Sequence, residues 1–254
     1  MAETRHDVVG IGNAIVDVLA HADDAFIAAN GLQKGNMTLV DAETAESLYE
    51  KMGPGVAVSG GSAANTIAAL ASLGGKGGFI GKVRDDQLGA IFRHDIVSLG
   101  ITFNTRPAAE GPSTARCLIL VTPDAHRTMQ TFLGISSELG PDDIDESLIA
   151  SSKITYLEGY LWDRPKAKEA FVKAAKVAHE AGRQVALTTA GNSNQVITKV
   201  ARPPRTSTAV SSQPMLKKAV SVRRKPTPSH NNAKMAADAP TLIQTTRRMF
   251  GSLN

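Results

Sequence analysis

The chain has 254 residues, 42% hydrophobic and 4% aromatic, with a formal net charge of +4. That length can bury a full α/β core, the scarce aromatics argue against an aromatic-cored β sandwich, and the single cysteine, Cys117, excludes an internal disulfide and favours a reducing compartment. No run of 18 apolar residues occurs, and the first residues lack a basic segment leading into an apolar one, so the expectation is a cytoplasmic protein with no membrane partner.

Strand and helix signals alternate through the first 188 residues. Asp7–Gly12 reads as a short buried strand that leads into Asn13–Leu19, the two making a first extended segment. Asn36–Val40 is extended, and Ala42–Met52 has helical spacing with Asp41 as its N-cap. Val56–Val58 reads as a short buried strand. Ser62–Leu73 is a helix of small residues stopped by Gly74-Gly75. Phe79–Val83 is a strand and Asp86–Leu99 a helix ending at Gly100. Ile101–Thr105, Thr114–Val121 and Arg127–Leu133 are strand-like and separated by Pro and Gly turns. Asp142–Ala150 is a helix started by Pro141, Lys153–Leu157 a strand, Pro165–Ala181 a long helix and Gln184–Leu187 another strand. Such alternation predicts a mainly parallel sheet covered by helices. The consecutive strands between 101 and 133 break the rhythm and predict a sheet or hairpin outside the main layer.

The net charge joins two compositions. Residues 1–188 hold 17 Lys and Arg against 23 Asp and Glu, whereas residues 189–254 hold 11 Lys and Arg against one acid, Asp238. Thr189–Gln213 is rich in Ser, Thr, Asn and Pro, Lys217–His230 is basic, and only Ala233–Phe250 has weak helical spacing, broken by Pro240. This stretch has too few large apolar residues to offset the ordering of its backbone, so a basic, low-order tail is expected.

Several segments invite chemistry. Gly10-Ile-Gly12-Asn-Ala-Ile15 opens like a dinucleotide fingerprint but has Ile at the third glycine position and a strand-like sequence afterwards, which argues against a nicotinamide site. Gly75-Lys76 and Gly81-Lys82 lack the following Ser or Thr of a P-loop. Ser59-Gly60-Gly61-Ser62-Ala63-Ala64-Asn65-Thr66 is more informative. Two glycines between strand and helix let a ligand approach the backbone, the helix start offers N–H groups, and the Asn65 amide can both donate to and accept from a hydroxyl. A tight turn with an N-cap accounts for the same residues. Asp17, late in the first extended segment, could accept from two vicinal hydroxyls, or could simply be solvated. His94 and His126 lack a partner carboxylate or a second ligand at metal spacing and are expected at the surface. Cys117, in an apolar strand, is expected to be a buried small hydrophobe.

Taken in order, Gly12-Asn13-Ala14-Ile15-Val16-Asp17, Gly60-Gly61-Ser62-Ala63-Ala64-Asn65-Thr66 and Ile80-Gly81-Lys82-Val83-Arg84-Asp85-Asp86-Gln87-Leu88-Gly89 resemble the ribokinase-like (PfkB) carbohydrate kinases. Their wording is similar to the bacterial adenosine kinase-like branch, as are Asp124–Thr131 and Leu157-Glu158-Gly159-Tyr160. The resemblance covers residues 6–188. It implies a Rossmann-like ribokinase fold, a mainly parallel sheet with flanking helices plus a small β lid over the sugar. It assigns substrate contacts to Asp17, Gly60, Gly61 and Asn65, with a further one from Glu158, and leaves Arg127 to lid structure or phosphate-side charge. ATP and Mg²⁺ are the cofactors it implies, and a sugar or nucleoside the substrate.

The same resemblance places the transferring groups in a C-terminal half, where a Gly-Ala-Gly-Asp stretch supplies the base and anion hole and an Asn-x-x-Glu stretch organises Mg²⁺. This chain has no Gly-Ala-Gly-Asp and no Glu after residue 188. The expectation is therefore that the C-terminal part of the fold is missing, with no catalytic base, no metal ligand and no complete ATP site, as a reading-frame shift or truncation near Thr188–Gly191 would produce. Loss of that half would leave an open parallel-sheet edge, so low stability and aggregation are expected. The rival reading is a non-catalytic sugar- or nucleoside-binding protein whose basic tail contacts nucleic acid or an acidic partner. Lys217-Lys218 and Arg223-Arg224-Lys225 could meet phosphates, but Phe250 is the only aromatic there and offers no stacking platform, which argues against nucleic acid. Oligomeric state is not legible.

Overall fold

The computed structural model of the chain describes residues 4–162 and 164–188. Expectations for Thr189–Gln213, Lys217–His230 and Ala233–Phe250 lie outside the described residues.

In chain order the elements are β1 (His6–Ile11), β2 (Ile15–His21), α1 (Asp24–Ala29), β3 (Met37–Leu39), α2 (Ala42–Lys51), β4 (Gly55–Gly60), α3 (Ser62–Ser72), β5 (Gly77–Ile80), α4 (Gln87–Ser98), β6 (Ala115–Val121), β7 (Arg127–Phe132), α5 (Glu146–Ala150), β8 (Ser152–Leu157), α6 (Pro165–Glu180) and β9 (Gln184–Leu187). They build two sheets, one of order β5-β1-β8-β9 and one of order β3-β7-β6-β2-β4.

The first sheet is parallel throughout, with Gly10 of β1 opposite Phe79 of β5 and Tyr156 of β8, and Leu157 of β8 opposite Leu187 of β9. Helices cover it because crossovers between parallel strands must pass over a face. On one side Val9, Ile11 and Leu157 pack against α5 and α6 through Ile149, Ala170, Phe171 and Ala174. On the other side Ile67 of α3 reaches so close to Gly10 that a Cβ there would lie 2.8 Å from it.

The second sheet matches the expected lid. Its strands β2 and β6 run parallel, whereas β2–β4 and β6–β7 are antiparallel. Alternation divides it into two faces. Val16, Val18 and Leu118 turn inward and join Leu48 of α2 with Phe79, Phe92 and Phe103 in one core cluster. Those three rings are centred 5.5–6.0 Å apart. Ser59 in β4 donates its amide to Asp95 of α4 at 2.8 Å, fixing that helix against the lid.

Local signals account for most boundaries. Asp41 accepts from the Thr44 amide at 2.8 Å, as expected of the N-cap of α2. Asp86 accepts from Gly89 N at 2.8 Å to start α4, and its other oxygen accepts from Thr114 N at 2.8 Å, so one carboxylate fixes both the helix and the approach to β6. The chain beyond Gly12 enters β2 rather than a helix, which disposes of the dinucleotide reading.

Three expectations are corrected. Val56–Val58 is not buried: Val56 is 66% exposed, because β4 is an edge strand whose outer face lies open. Ile101–Thr105 forms no strand beyond one bridge between Thr102 and Gly78. The carbonyls of Phe103 and Thr105 accept instead from the guanidinium of Arg93, at 3.2 and 2.5 Å. Asp142–Ala150 is not one helix but a short 3-10 turn, Pro141–Asp143, succeeded by α5. Asp145 has extended backbone and caps α5 by accepting from Leu148 N at 2.9 Å, which restarts the helix there.

Candidate substrate site at the lid junction

The chain passes from the parallel sheet into the lid at Gly12–Ala14 and returns at Gly60–Ser62. The two crossings lie side by side, since a Cβ on Gly61 would collide with the carbonyl oxygen of Asn13. Gly61 also has φ +98°, a conformation that side-chain-bearing residues avoid. It precedes α3 with no side-chain cap. Gly60 is required for another reason. A Cβ there would occupy the space taken by the Asp17 carboxylate.

Asp17 is the third residue of β2, opposite Val58 of β4 and Cys117 of β6. It is half-buried. Burial pushes its pKa up to about 6, and the positive charge of Arg127 pulls the other way. Among the described residues no donor is bonded to its carboxylate. Arg127, expected in lid structure or as phosphate-side charge, thus has a concrete effect, an electrostatic one on Asp17 from the far end of β7.

Asn65 sits in the first turn of α3, exposed, with its backbone amide donating to Gly61 O at 2.8 Å. Asp17, Gly60 and Gly61 therefore meet directly, and Asn65 stands four residues along the helix that Gly61 begins. Glu158 is at the same junction but beneath it, only 2% exposed. Its Oε2 accepts from the Asn13 amide at 2.6 Å. The amides of Ser62 and Ala63 also favour its ionised form, although burial raises its pKa overall. The start of α3, which the sequence offered to a ligand, thus lies beside an internal carboxylate.

The outer face of the lid continues from Asp17. Residues in register share a face, so Leu19, Val56 and Val58 lie on one side of Asp17 and Cys117, Thr131, Leu39 and Met37 on the other. Leu39 is 59% exposed. A cavity of about 240 Å³ lies at that far end, between Leu39, Thr131 and Phe132 of the lid and Gly134, Glu138 and Arg164 of the layer below. Cys117 is buried as expected, its thiol pushed up to about 11 by burial, and it accepts from Thr131 Oγ1 at 3.2 Å.

Two residues carry more of the junction than the sequence revealed. Asn13, 2% exposed, takes both a backbone and a side-chain contact to Glu158. Ser136 places its hydroxyl 2.9 Å from Asn13 Oδ1. Asn13 lies inside the Gly12–Asp17 motif, whereas nothing in the local sequence distinguishes Ser136. His94 and His126 are exposed, yet each does have a carboxylate beside it: Asp95 at 3.3 Å and Asp124 at 3.1 Å. Among the described residues no three His, Cys, Asp or Glu side chains come together as metal ligands, so those residues do not fit a Mg²⁺ site and no step is assigned to one. Nor, among them, is any helix long and apolar enough to cross a membrane.

The sequence matches the model of pfkB family carbohydrate kinases over residues 35–206. The chain belongs to the PfkB family. The matched span starts later and runs further than the 6–188 read from the motifs. Among solved structures, adenosine kinase from Sinorhizobium meliloti is similar at a TM-score of 0.69 and 53% identity, over 73% of this chain and 57% of that one. A probable sugar kinase from Rhizobium etli is similar at 0.68 and 49%, over 72% and 56%. The ATP-dependent ribose-1-phosphate kinase of Halopiger xanaduensis is 36% identical over 123 residues, 48% of this chain and 40% of that protein. This PfkB chain thus spans about half the length of the relatives it matches. PfkB kinases use ATP, generally with a divalent metal.

Proposed function

We propose that residues 1–188 form the substrate-binding part of an adenosine kinase-like phosphotransferase, whose reaction moves the γ-phosphate of ATP to a primary hydroxyl of a ribose-bearing nucleoside. The observation that carries this is the seat of Asp17: a half-buried carboxylate, laid over Gly60 and beside Gly61, with its oxygens unclaimed among the described residues. Ionised, it can accept from two neighbouring hydroxyls of one ring. Gly61 admits the sugar close to the backbone, and Asn65 contributes a donor and an acceptor.

The apolar lid face favours a nucleoside over a free hexose. Thr131 stands two strands from Asp17, roughly 10 Å at ordinary strand spacing, with Cys117 between them and the exposed Leu39 and Met37 continuing the face on β3 beyond. A free sugar would leave that surface wet, whereas a planar base would cover it. The likeness to the Sinorhizobium meliloti adenosine kinase supports the same choice.

The chain itself is proposed to bind without transferring phosphate. It contains no Gly-Ala-Gly-Asp stretch, and residues 189–254 carry no Glu and a single Asp. The division at residue 188 is kept on this charge reversal, with the basic stretch read as no part of the catalytic machinery and the whole as cytoplasmic. Calorimetric titration of the full chain with adenosine, ribose and fructose, alongside an ATP–Mg²⁺ turnover assay, tests both parts. Adenosine is expected to bind at least tenfold more tightly than either sugar, with no turnover above background. A preference for fructose overturns the nucleoside reading, and turnover near one per second, ordinary for a kinase, overturns the inactivity.

A further inference from the structure

We propose that Glu158 acts as a positioning residue, an internal carboxylate that pins both backbone crossings of the lid and so sets Asp17 and Asn65 at a fixed separation, rather than as a group that touches substrate. The proposal rests on the substrate reading for its consequence in binding, but not for the contacts themselves.

Three segments meet at this side chain. Glu158 comes directly after β8, and its own amide donates to Ile11 O at 2.9 Å, which extends the β1–β8 pairing by one bond. Its Oε2 accepts from Asn13 N at 2.6 Å, with Asn13 Nδ2 at 3.4 Å. The amides of Ser62 and Ala63, at the start of α3, favour the same carboxylate, where the partial positive charge of a helix N-terminus suits an anion. Gly12 is shaped around it: a Cβ on Gly12 would strike Glu158 Oε2 and come within 2.6 Å of Ala63 Cβ. The carboxylate therefore holds the outgoing crossing by its hydrogen bond from Asn13 and lies against the returning one at Ala63, whose Cβ crowds the same point beside Gly12 as Glu158 Oε2.

Asp17 is four residues beyond Asn13, and Asn65 is two beyond Ala63. Any slip between the crossings is passed along β2 and α3 to those two side chains. A second tie secures the outgoing crossing from outside. Ser136 Oγ lies 2.9 Å from Asn13 Oδ1 and 2.6 Å from Leu133 O, so its one proton serves one of them at a time. Glu158 has no such alternative. At 2% exposure, with backbone donors around it, an unpaired or displaced carboxylate would be costly.

Amide hydrogen exchange and ligand titration on the full chain separate the possibilities. In Glu158→Gln the chain length is kept and the charge lost. Exchange at Asn13, Ser62 and Ala63 is expected to rise at least tenfold while the amides of β1 and β8 stay unchanged, and adenosine affinity is expected to fall about tenfold. Glu158→Asp, one methylene short, should do the same and not rescue. Asp17→Asn should lose adenosine yet leave the three amides as in the native chain. Loss of adenosine in Glu158→Gln with the three amides unmoved would make Glu158 a direct substrate contact and overturn the proposal. If the native chain binds no adenosine, the substrate reading fails, while the amides still decide the role of Glu158. Should both Glu158 variants fail to fold, protection of Asn13, Ser62 and Ala63 in the native chain decides: strand-like protection is expected, and loop-like exchange overturns it.

Discussion

The parallel sheet and the lid sheet are built from similar residues and end in opposite states. The parallel sheet is covered on both sides along β1 and β5, and its largest members there, Ile11 and Phe79, are buried completely. The lid buries Val16, Val18 and Leu118 on one face but leaves Leu19, Met37, Leu39, Val56 and Val58 open on the other. An open apolar face of that kind marks a place where something else is meant to sit. The contrast says that one layer stores stability while the other leaves the outer face of its edge strands uncommitted, with only its middle, at Cys117 and Thr131, buried.

That contrast can be broken most forcefully at the junction. Gly61→Val should cost about 3 kcal/mol or more, from a positive φ and a collision with the Asn13 backbone that cannot relax. The urea midpoint should fall steeply, and a midpoint like the native one would show that the crossings can separate freely. Next, Phe92→Ala in the covered core should cost about 3–5 kcal/mol, whereas Val56→Ala on the open lid face should stay within about 0.5 kcal/mol. Equal losses would erase the distinction between the two sheets.

Gly60→Ala should divide stability from binding. The new methyl displaces only the tip of the Asp17 side chain, so stability should change by less than about 1 kcal/mol while adenosine binding is lost in calorimetry. The smallest effect comes from pH. Burial raises the pKa of Asp17 to about 6, above its unfolded value, so the folded state binds the extra proton between about pH 4 and 6. Its contribution to stability is complete below about pH 4, falls as pH rises through 6, and is flat above. Ligand affinity should run the other way, gaining up to tenfold per unit toward pH 6, because the diol needs the ionised form. Asp17→Asn should flatten both profiles, measured by calorimetry and urea titration.

The sequence disclosed what short-range chemistry decides. Asp41 before Ala42 starts a helix wherever it occurs, and alternation in β2 told which side chains share a face. It could not tell whether that face is covered, so Val56–Val58 was expected inside. It could not foresee that Arg93, ten residues before Phe103, would take the carbonyls that would otherwise have made a strand. At the site, Asp17, Gly60 and Gly61 were visible because their motifs are contiguous. The tie of Glu158 to Asn13 spans 145 residues of chain, and no local pattern carries such a contact.

The interleaving of the two sheets has a consequence for the ribosome. His6 begins β1, and its partner on one flank, Ser152, lies nearly the whole described chain away. The other flank is served by β5, and between them the lid strands must be threaded out and back. At about 5–20 residues per second of synthesis, the first strand emerges with one edge unclosed for on the order of ten seconds. During that interval the nascent chain has an apolar strand paired on one edge at most, and its closure waits on the last third of the described residues.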